Sequence, residues 1–262
     1  MQNEFGFQSG YEQVNGIKMY YQIHGAGDVP LVLVHGGGST IETTFGNIIP
    51  FFTQTRKVIA VDLQAHGRTG DREAGVSFEQ DADDVAGLLK NLNFEKADFL
   101  GFSNGGSTVL QIASRHPHLV RKLVTVAATW KRAGLISGFF EFMETATLDN
   151  MPLPLQNAYL EVAENKEGLQ VMHDKDRDRM RAFQDWPEEI LTNLDVPALI
   201  ISGNQDVITI DHAVETAKLI PRAELLILPG IHGACIGEIC AARAGSKMPE
   251  FTAAAIGEFL NK

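Results

Sequence analysis

The chain predicts an α/β fold, a mostly parallel central sheet with helices on both faces. Three observations carry that prediction. From residue 31 onward, short apolar runs at 31–34, 57–61, 97–102, 119–127, 198–202 and 224–228 alternate with helical patterns, as strand–helix–strand crossovers do. Ahead of them, Asn15-Gly16 separates the segments 11–14 and 17–23, the arrangement of a tight hairpin. At Gly101-Phe102-Ser103-Asn104-Gly105 a strand-type segment passes into a helix-type one within a few residues, and so sharp a turn needs small residues where a Cβ would collide with main chain.

After the hairpin at 11–24, the run at 31–34 ends in His35-Gly36-Gly37-Gly38, where consecutive glycines let backbone N–H groups point into one shared space. The helix at 79–92 is the clearest. Ser77 and Gln80 form a capping-box pair, and Phe78, Ala82, Val85, Leu89 and Leu92 recur at four- and three-residue steps as one buried stripe. The helix from 106 to 115 carries Val109, Leu110, Ile112 and Ala113 until Pro117 closes it. Past 119–127 the rhythm breaks, which divides the chain into a core, residues 1–130 and 188–262, and a helical cap insertion at 131–187. In the cap, Met143, Met151, Met172 and Met180 with Phe139, Phe140, Phe142 and Phe183 provide an adaptable apolar wall. The run Asp174-Lys175-Asp176-Arg177-Asp178-Arg179 reads as a mixed-charge solvated face without a ligand role. The core resumes with 198–202, a helix over 213–219 N-capped by Asp211, and 224–228.

Chemistry gathers just past the strand ends. The turn lifts the Ser103 oxygen into a cleft, and the following helix aims its N-terminal N–H groups and positive dipole end at the same place. That suits an oxyanion formed by attack on a carbonyl. A lone pentapeptide of this kind is a weak signal; an aspartate and a histidine in the right order downstream make it specific. Asp206 lies a few residues beyond 198–202, placed to orient a histidine, whereas Asp195 precedes that strand at the wrong end of the sheet. His232 comes after 224–228 and Pro229-Gly230, which makes it the candidate general base. The other histidines compete poorly. His116 and His118 flank Pro117, His212 sits at a helix start, and His24, His66 and His173 lack triad spacing, while His35 opens the glycine loop and fixes it by hydrogen bonding.

Serine, then aspartate, then histidine, each past a strand end and joined to His35-Gly36-Gly37-Gly38, resembles the α/β-hydrolase fold family. The resemblance covers nearly the whole chain apart from 131–187. It is most similar to the small, cofactor-free branch of carboxylesterases, enol-lactone hydrolases and non-haem haloperoxidases. It implies that Ser103 attacks, His232 takes the proton and Asp206 holds the imidazole tautomer. It also implies that the Asn104 and Gly37 N–H groups hold the oxyanion, with Gly38 as substitute donor. The segment Val61-Asp62-Leu63-Gln64-Ala65-His66-Gly67-Arg68-Thr69 is family-like too, with Ala65 where glycine is usual and Asp62 and Arg68 read as structural. The implied reaction is hydrolysis of a small to medium, mainly apolar carboxylic ester or lactone through an acyl-enzyme. Carbon–carbon bond hydrolases, perhydrolases and hydroxynitrile lyases use the same triad and stay open, as does, from another class, a non-catalytic ligand receptor on the scaffold. Dehalogenases and epoxide hydrolases of this fold need a carboxylate nucleophile, and position 103 is serine.

Composition bounds the rest. A chain of 262 residues, 44% hydrophobic, can bury one sizeable core. Its net charge of −11 repels nucleic-acid backbones and anionic membrane surfaces, so a small-molecule substrate is the expected partner. Met1-Gln2-Asn3-Glu4-Phe5 lacks basic and apolar leader regions, and no apolar run is long enough to span a bilayer; a cytoplasmic location is expected. Cys235 and Cys240 are too few for a disulfide framework or a zinc cluster and read as free core thiols that helical spacing turns apart. No nucleotide fingerprint or metal-ligand pair is found, so no metal or other cofactor is expected. Oligomeric state stays open. The acyl pocket is expected from Trp130, Phe139, Phe140 and Met143, with Ile208 and Ile231 from the loops.

Overall fold

The computed structural model describes residues 6–262; the leader reading on residues 1–5 lies outside them. Eight strands form one sheet in the order β1-β2-β4-β3-β5-β6-β7-β8. They are β1 (Gln8–Val14), β2 (Ile17–His24), β3 (Leu31–Val34), β4 (Val58–Val61), β5 (Ala97–Phe102), β6 (Val120–Val126), β7 (Ala198–Gly203) and β8 (Ala223–Leu228). The hairpin β1–β2 is antiparallel and pairs antiparallel with β4, and all strands from β3 to β8 run parallel. Asn15 and Gly16 have φ of 45° and 89°, the two left-handed residues that such a two-residue turn needs.

The helices are α1 (Ile41–Phe45), α2 (Ile49–Phe52), α3 (Phe78–Asn91), α4 (Asn104–Arg115), α5 (Phe139–Thr145), α6 (Leu153–Val162), α7 (Gly168–Ala182), α8 (Glu189–Thr192), α9 (Ile210–Leu219) and α10 (Met248–Asn261). Because side chains alternate along a strand, each core strand feeds two cores. Val32 and Val34 pack with α3 and α4, while Leu31 and Leu33 pack with α1, α2 and α10. Both faces of the sheet are thus covered, which buries β3 and β4 completely. Between β6 and β7 come α5, α6, α7 and α8 with short 3-10 turns at Arg132–Gly134 and Leu148–Asn150. No helix among the described residues is long and apolar enough to cross a membrane.

Several local readings need correction. Ser77 Oγ accepts the Gln80 N–H at 3.1 Å, but the Gln80 side chain donates to Asp84 Oδ1 at 2.9 Å instead of closing the box. Helix α9 starts earlier than expected and is capped by Thr209, whose hydroxyl accepts the His212 N–H, with Asp211 inside the first turn. Cys235 and Cys240 lie on turns, not on a helix; Cys235 is buried and Cys240 is exposed, so only one is a core thiol. Burial, then the Asp206 charge, pushes the Cys235 thiol up to about 12, which keeps it protonated.

Candidate active site

Parallel strands bring their C-terminal ends to one edge of the sheet, and the loops leaving that edge form the site. The turn after β5 is strained. Ser103 has φ 54° and ψ −121°, its N–H donates to Val126 O at 2.8 Å, and α4 begins at the next residue. The approach is too close for side chains on either flank. A Cβ at Gly101 would stand 2.1 Å from Gly105 O, and one at Gly105 2.1 Å from Val34 O and 2.4 Å from His35 O. Gly105→Ala is therefore expected to destabilise the fold by about 3 kcal/mol or more, because only backbone surrounds the added methyl. Urea unfolding measures it, and an unchanged midpoint would contradict the packing described.

Two loops deliver the histidine and its carboxylate together. Asn204 Oδ1 accepts the Gly230 N–H at 2.9 Å, and the Gln205 N–H donates to Gly230 O at 3.0 Å, so the loops after β7 and β8 are tied. Asp206 Oδ1, almost wholly buried, then lies 2.7 Å from His232 Nδ1 and also accepts the Ile208 N–H at 3.1 Å. His232 Nε2 lies 3.0 Å from Ser103 Oγ. A carboxylate accepts only, so Nδ1 carries the ring proton and Nε2 offers its lone pair to the serine hydroxyl. The Phe102 ring, 4.6 Å away between centroids, packs on the imidazole. Asp195 is at the far end of the sheet with its side chain 96% exposed.

The glycine loop after β3 reaches the same point. A Cβ at Gly36 would stand 3.3 Å from Ser103 Cβ, and one at Gly37 2.6 Å from Asn104 Nδ2. The Gly37 N–H meets no acceptor among the described residues, and the Asn104 N–H, first in α4, has no intrahelical partner. Gly38 is different. Its N–H is already taken by Asp176 Oδ2 at 2.6 Å, which removes it as a substitute donor. His35 holds the loop from below, with Nε2 accepting the Leu63 N–H at 3.0 Å and Nδ1 donating to Gly36 O at 2.7 Å. Asp62 is structural, accepting the Ile41 and Arg68 N–H groups at 3.0 Å each. Ala65 takes the left-handed φ of 64° that glycine would adopt more cheaply.

A cavity of about 240 Å³ opens on Gly37, Ser103 and Asn104. A larger open groove of about 1210 Å³, along Asp83, Lys90 and His118, touches none of these residues. Of the expected pocket residues, Phe139 and Met143 line the cavity and the other four do not. Trp130 is buried below, its Nε1 donating to Thr216 Oγ1 at 3.1 Å. Phe140 stacks under the Arg132 guanidinium, 3.5 Å from its ring centroid. Ile208 is buried in a bridge with Leu135, and Ile231 is exposed. The walls instead follow helical period: Phe139, Phe142 and Met143 on α5 with Ala146 at its C-cap, and His173, Asp176, Arg177 and Met180 on α7. The charged run at 174–179 is therefore not one solvated face, since Asp176 and Arg179 are buried.

Residues 29–171 match the profile of the alpha/beta hydrolase fold. Serine hydrolase BPHL of Homo sapiens is 30% identical over 233 residues, which is 82% of this chain and 77% of that protein. The chain belongs to the α/β-hydrolase fold family and is an enzyme of that hydrolase class. Among solved structures, a serine hydrolase involved in carbazole degradation aligns with a TM-score of 0.79 at 24% identity, covering 97% of this chain and 99% of that one. The enol-lactonase from Burkholderia xenovorans LB400 aligns with a TM-score of 0.74 at 20% identity, covering 97% and 100%. At those identities the likeness is one of fold.

Proposed function

We propose that this enzyme hydrolyses small to medium, mainly apolar carboxylic esters or lactones through an acyl-enzyme. The observation that carries the reading is the unbroken relay from Asp206 through His232 to Ser103, 2.7 Å and 3.0 Å long, beside a cavity with two N–H groups that meet no acceptor among the described residues. Ser103 Oγ attacks the carbonyl as His232 Nε2 takes its proton, and Asp206 steadies the imidazolium that forms. The Gly37 and Asn104 N–H groups receive the developing oxyanion. His232 then returns the proton to the leaving alcohol, and water releases the acyl group by the same base.

The cavity supports the substrate class. Phe139, Phe142, Met143, Met151, Leu155 and Met180 give it an apolar, adaptable wall. Its one guanidinium, Arg177, is already paired with Asp174 and Asp178 at 2.9 Å each, and Asp176 adds a carboxylate to the lining. An anionic acyl group is therefore disfavoured. Each methylene that fits is expected to raise kcat/KM by about 1 kcal/mol of transition-state binding until the cavity is full, after which activity falls. The measurement is kcat/KM for p-nitrophenyl esters from acetate to decanoate beside a dicarboxylate half-ester. A flat profile, or preference for the half-ester, would contradict this pocket.

A further inference from the structure

Behind the glycine loop lies a second group of charges that the hydrolytic steps do not use. Asp176 and Arg179 of α7, Asp81 of α3 and His66 of the loop after β4 are all buried. Asp176 Oδ2 accepts the Gly38 N–H at 2.6 Å and stands 2.8 Å from His66 Nε2. Asp176 Oδ1 pairs with Arg179, whose Nη1 reaches Asp81 Oδ2 at 2.6 Å. Elements far apart in sequence thus converge on one backbone N–H of the loop.

Geometry sets the charge of His66. Its Nδ1 is 2.8 Å from the Gln64 carbonyl oxygen and its Nε2 is 2.8 Å from the Asp176 carboxylate. The Gly38 N also lies 3.3 Å from Nε2, but its proton goes to Asp176 Oδ2 at 2.6 Å; the nearest partner of each ring nitrogen is thus an acceptor at 2.8 Å, and a ring with both nitrogens protonated satisfies both. Two carboxylates then face two cations, and the cluster is neutral. Burial weakens the hold of His66 on its proton, but the Asp176 charge and hydrogen bond outweigh it and raise its pKa above the ordinary 6.5. His35, with its ring centroid 4.9 Å away, stays neutral, pushed down to about 3 by burial and the His66 charge. Burial pushes Asp81 up to about 6, against the pull of Arg179, whose Nη1 donates to Asp81 Oδ2 at 2.6 Å.

The effect falls on the oxyanion hole. A Cβ at Gly37 would stand 3.0 Å from Asp176 Oδ2, so this carboxylate adjoins the Gly37 Cα, which joins the donor N–H of Gly37 to the Gly37–Gly38 peptide that Asp176 holds. Flipping the Gly37–Gly38 peptide would turn the Gly37 carbonyl onto the carboxylate, which repels it. Left unneutralised, however, the same carboxylate would oppose negative charge on the oxyanion. We propose that Asp176, His66 and Arg179 form a positioning cluster for the glycine loop: Asp176 locks the Gly37–Gly38 peptide from α7, and the two cations cancel its charge beside the oxyanion. The inference rests on the acyl-transfer reading of Ser103.

The test compares the unsubstituted chain with Asp176→Asn and His66→Gln, substitutions that largely keep side-chain volume. Three readouts are taken: p-nitrophenyl butyrate kinetics from weakly acid to alkaline pH, fluorophosphonate labelling, and melting temperature. Each variant is expected to lose at least about tenfold in kcat, with KM changed less than about threefold, because a transition-state donor is misplaced. The unsubstituted chain should lose kcat as His66 gives up its proton above 6.5, and His66→Gln should lack that alkaline limb. Since the folded state binds this proton more tightly than the unfolded one, stability also falls as pH rises through the folded value. Folded variants with unchanged kcat, losses confined to KM, or an alkaline limb persisting in His66→Gln would overturn the cluster's role. Should Asp176→Asn fail to fold, His66→Gln decides alone. If the unsubstituted chain is not labelled at Ser103, the nucleophile reading fails and this inference with it; if it is labelled and the variants match it, only this inference fails.

Discussion

Ser103→Ala is expected to lower ester turnover by roughly six orders of magnitude, the scale seen when an isolated triad nucleophile is removed. Among the described residues only the Ser103 oxygen stands within hydrogen-bond distance of His232 Nε2, so none of their other side chains is placed to take over the attack. Residual rate should come from the Gly37 and Asn104 donors and from binding in the cavity, both of which survive the change. The fold should survive too. Alanine tolerates the positive φ at position 103 no worse than serine, and the lost hydroxyl leaves His232, which keeps its bond to Asp206. Single-turnover kinetics on p-nitrophenyl butyrate with a melting curve measure both parts. Turnover within tenfold of the unsubstituted enzyme would remove Ser103 from its role.

Asp206→Asn is expected to cost roughly three to four orders of magnitude in kcat at neutral pH. Either orientation of the new amide is harmful. With its oxygen toward His232 it keeps the tautomer but loses the charge that steadies the imidazolium. With its nitrogen there it reverses the tautomer and also faces the Ile208 N–H, which now donates to Asp206 Oδ1 at 3.1 Å. Asp195→Asn serves as the control, because that side chain is exposed and pairs only at 3.9 Å with Arg222. Steady-state kinetics decide between them: a silent Asp206→Asn beside a crippled Asp195→Asn would mean that the orienting acid has been misassigned.

Short-range rules made the sheet legible in the sequence. Buried strands are short apolar runs with turn residues between them, and β3, β5 and β8 lie within a residue of where such runs predict. Ser103, Asp206 and His232 could be named because parallel strands put their following loops on one edge, so chain order alone predicts which loops meet. The cavity was less legible because its walls depend on how helices between β6 and β7 face the core. Choosing by residue type selected Phe140 and Trp130. Choosing by helical step from Phe139 would have selected Phe142, Met143 and Ala146, the residues that line it. The same step along α7 would have separated Asp176 and Arg177, which face the cavity, from the exposed Asp178. No sequence rule could show that Asp176 meets Gly38 and His66, since that contact spans 138 and 110 residues and exists only once α7 packs over the loop. Alanine in place of the usual glycine at position 65 does not change the loop, because the backbone there keeps the left-handed conformation that glycine would adopt.

The central claim is that the relay ending at Ser103 makes this one oxygen the nucleophile. Covalent trapping tests it most directly: the enzyme is treated with a fluorophosphonate, its intact mass is measured, and the adduct is mapped by peptide mass spectrometry. The account predicts a single adduct on Ser103, absent in Ser103→Ala and formed far more slowly in Asp206→Asn. An adduct on any other residue, or a folded protein that takes up no label, would contradict it.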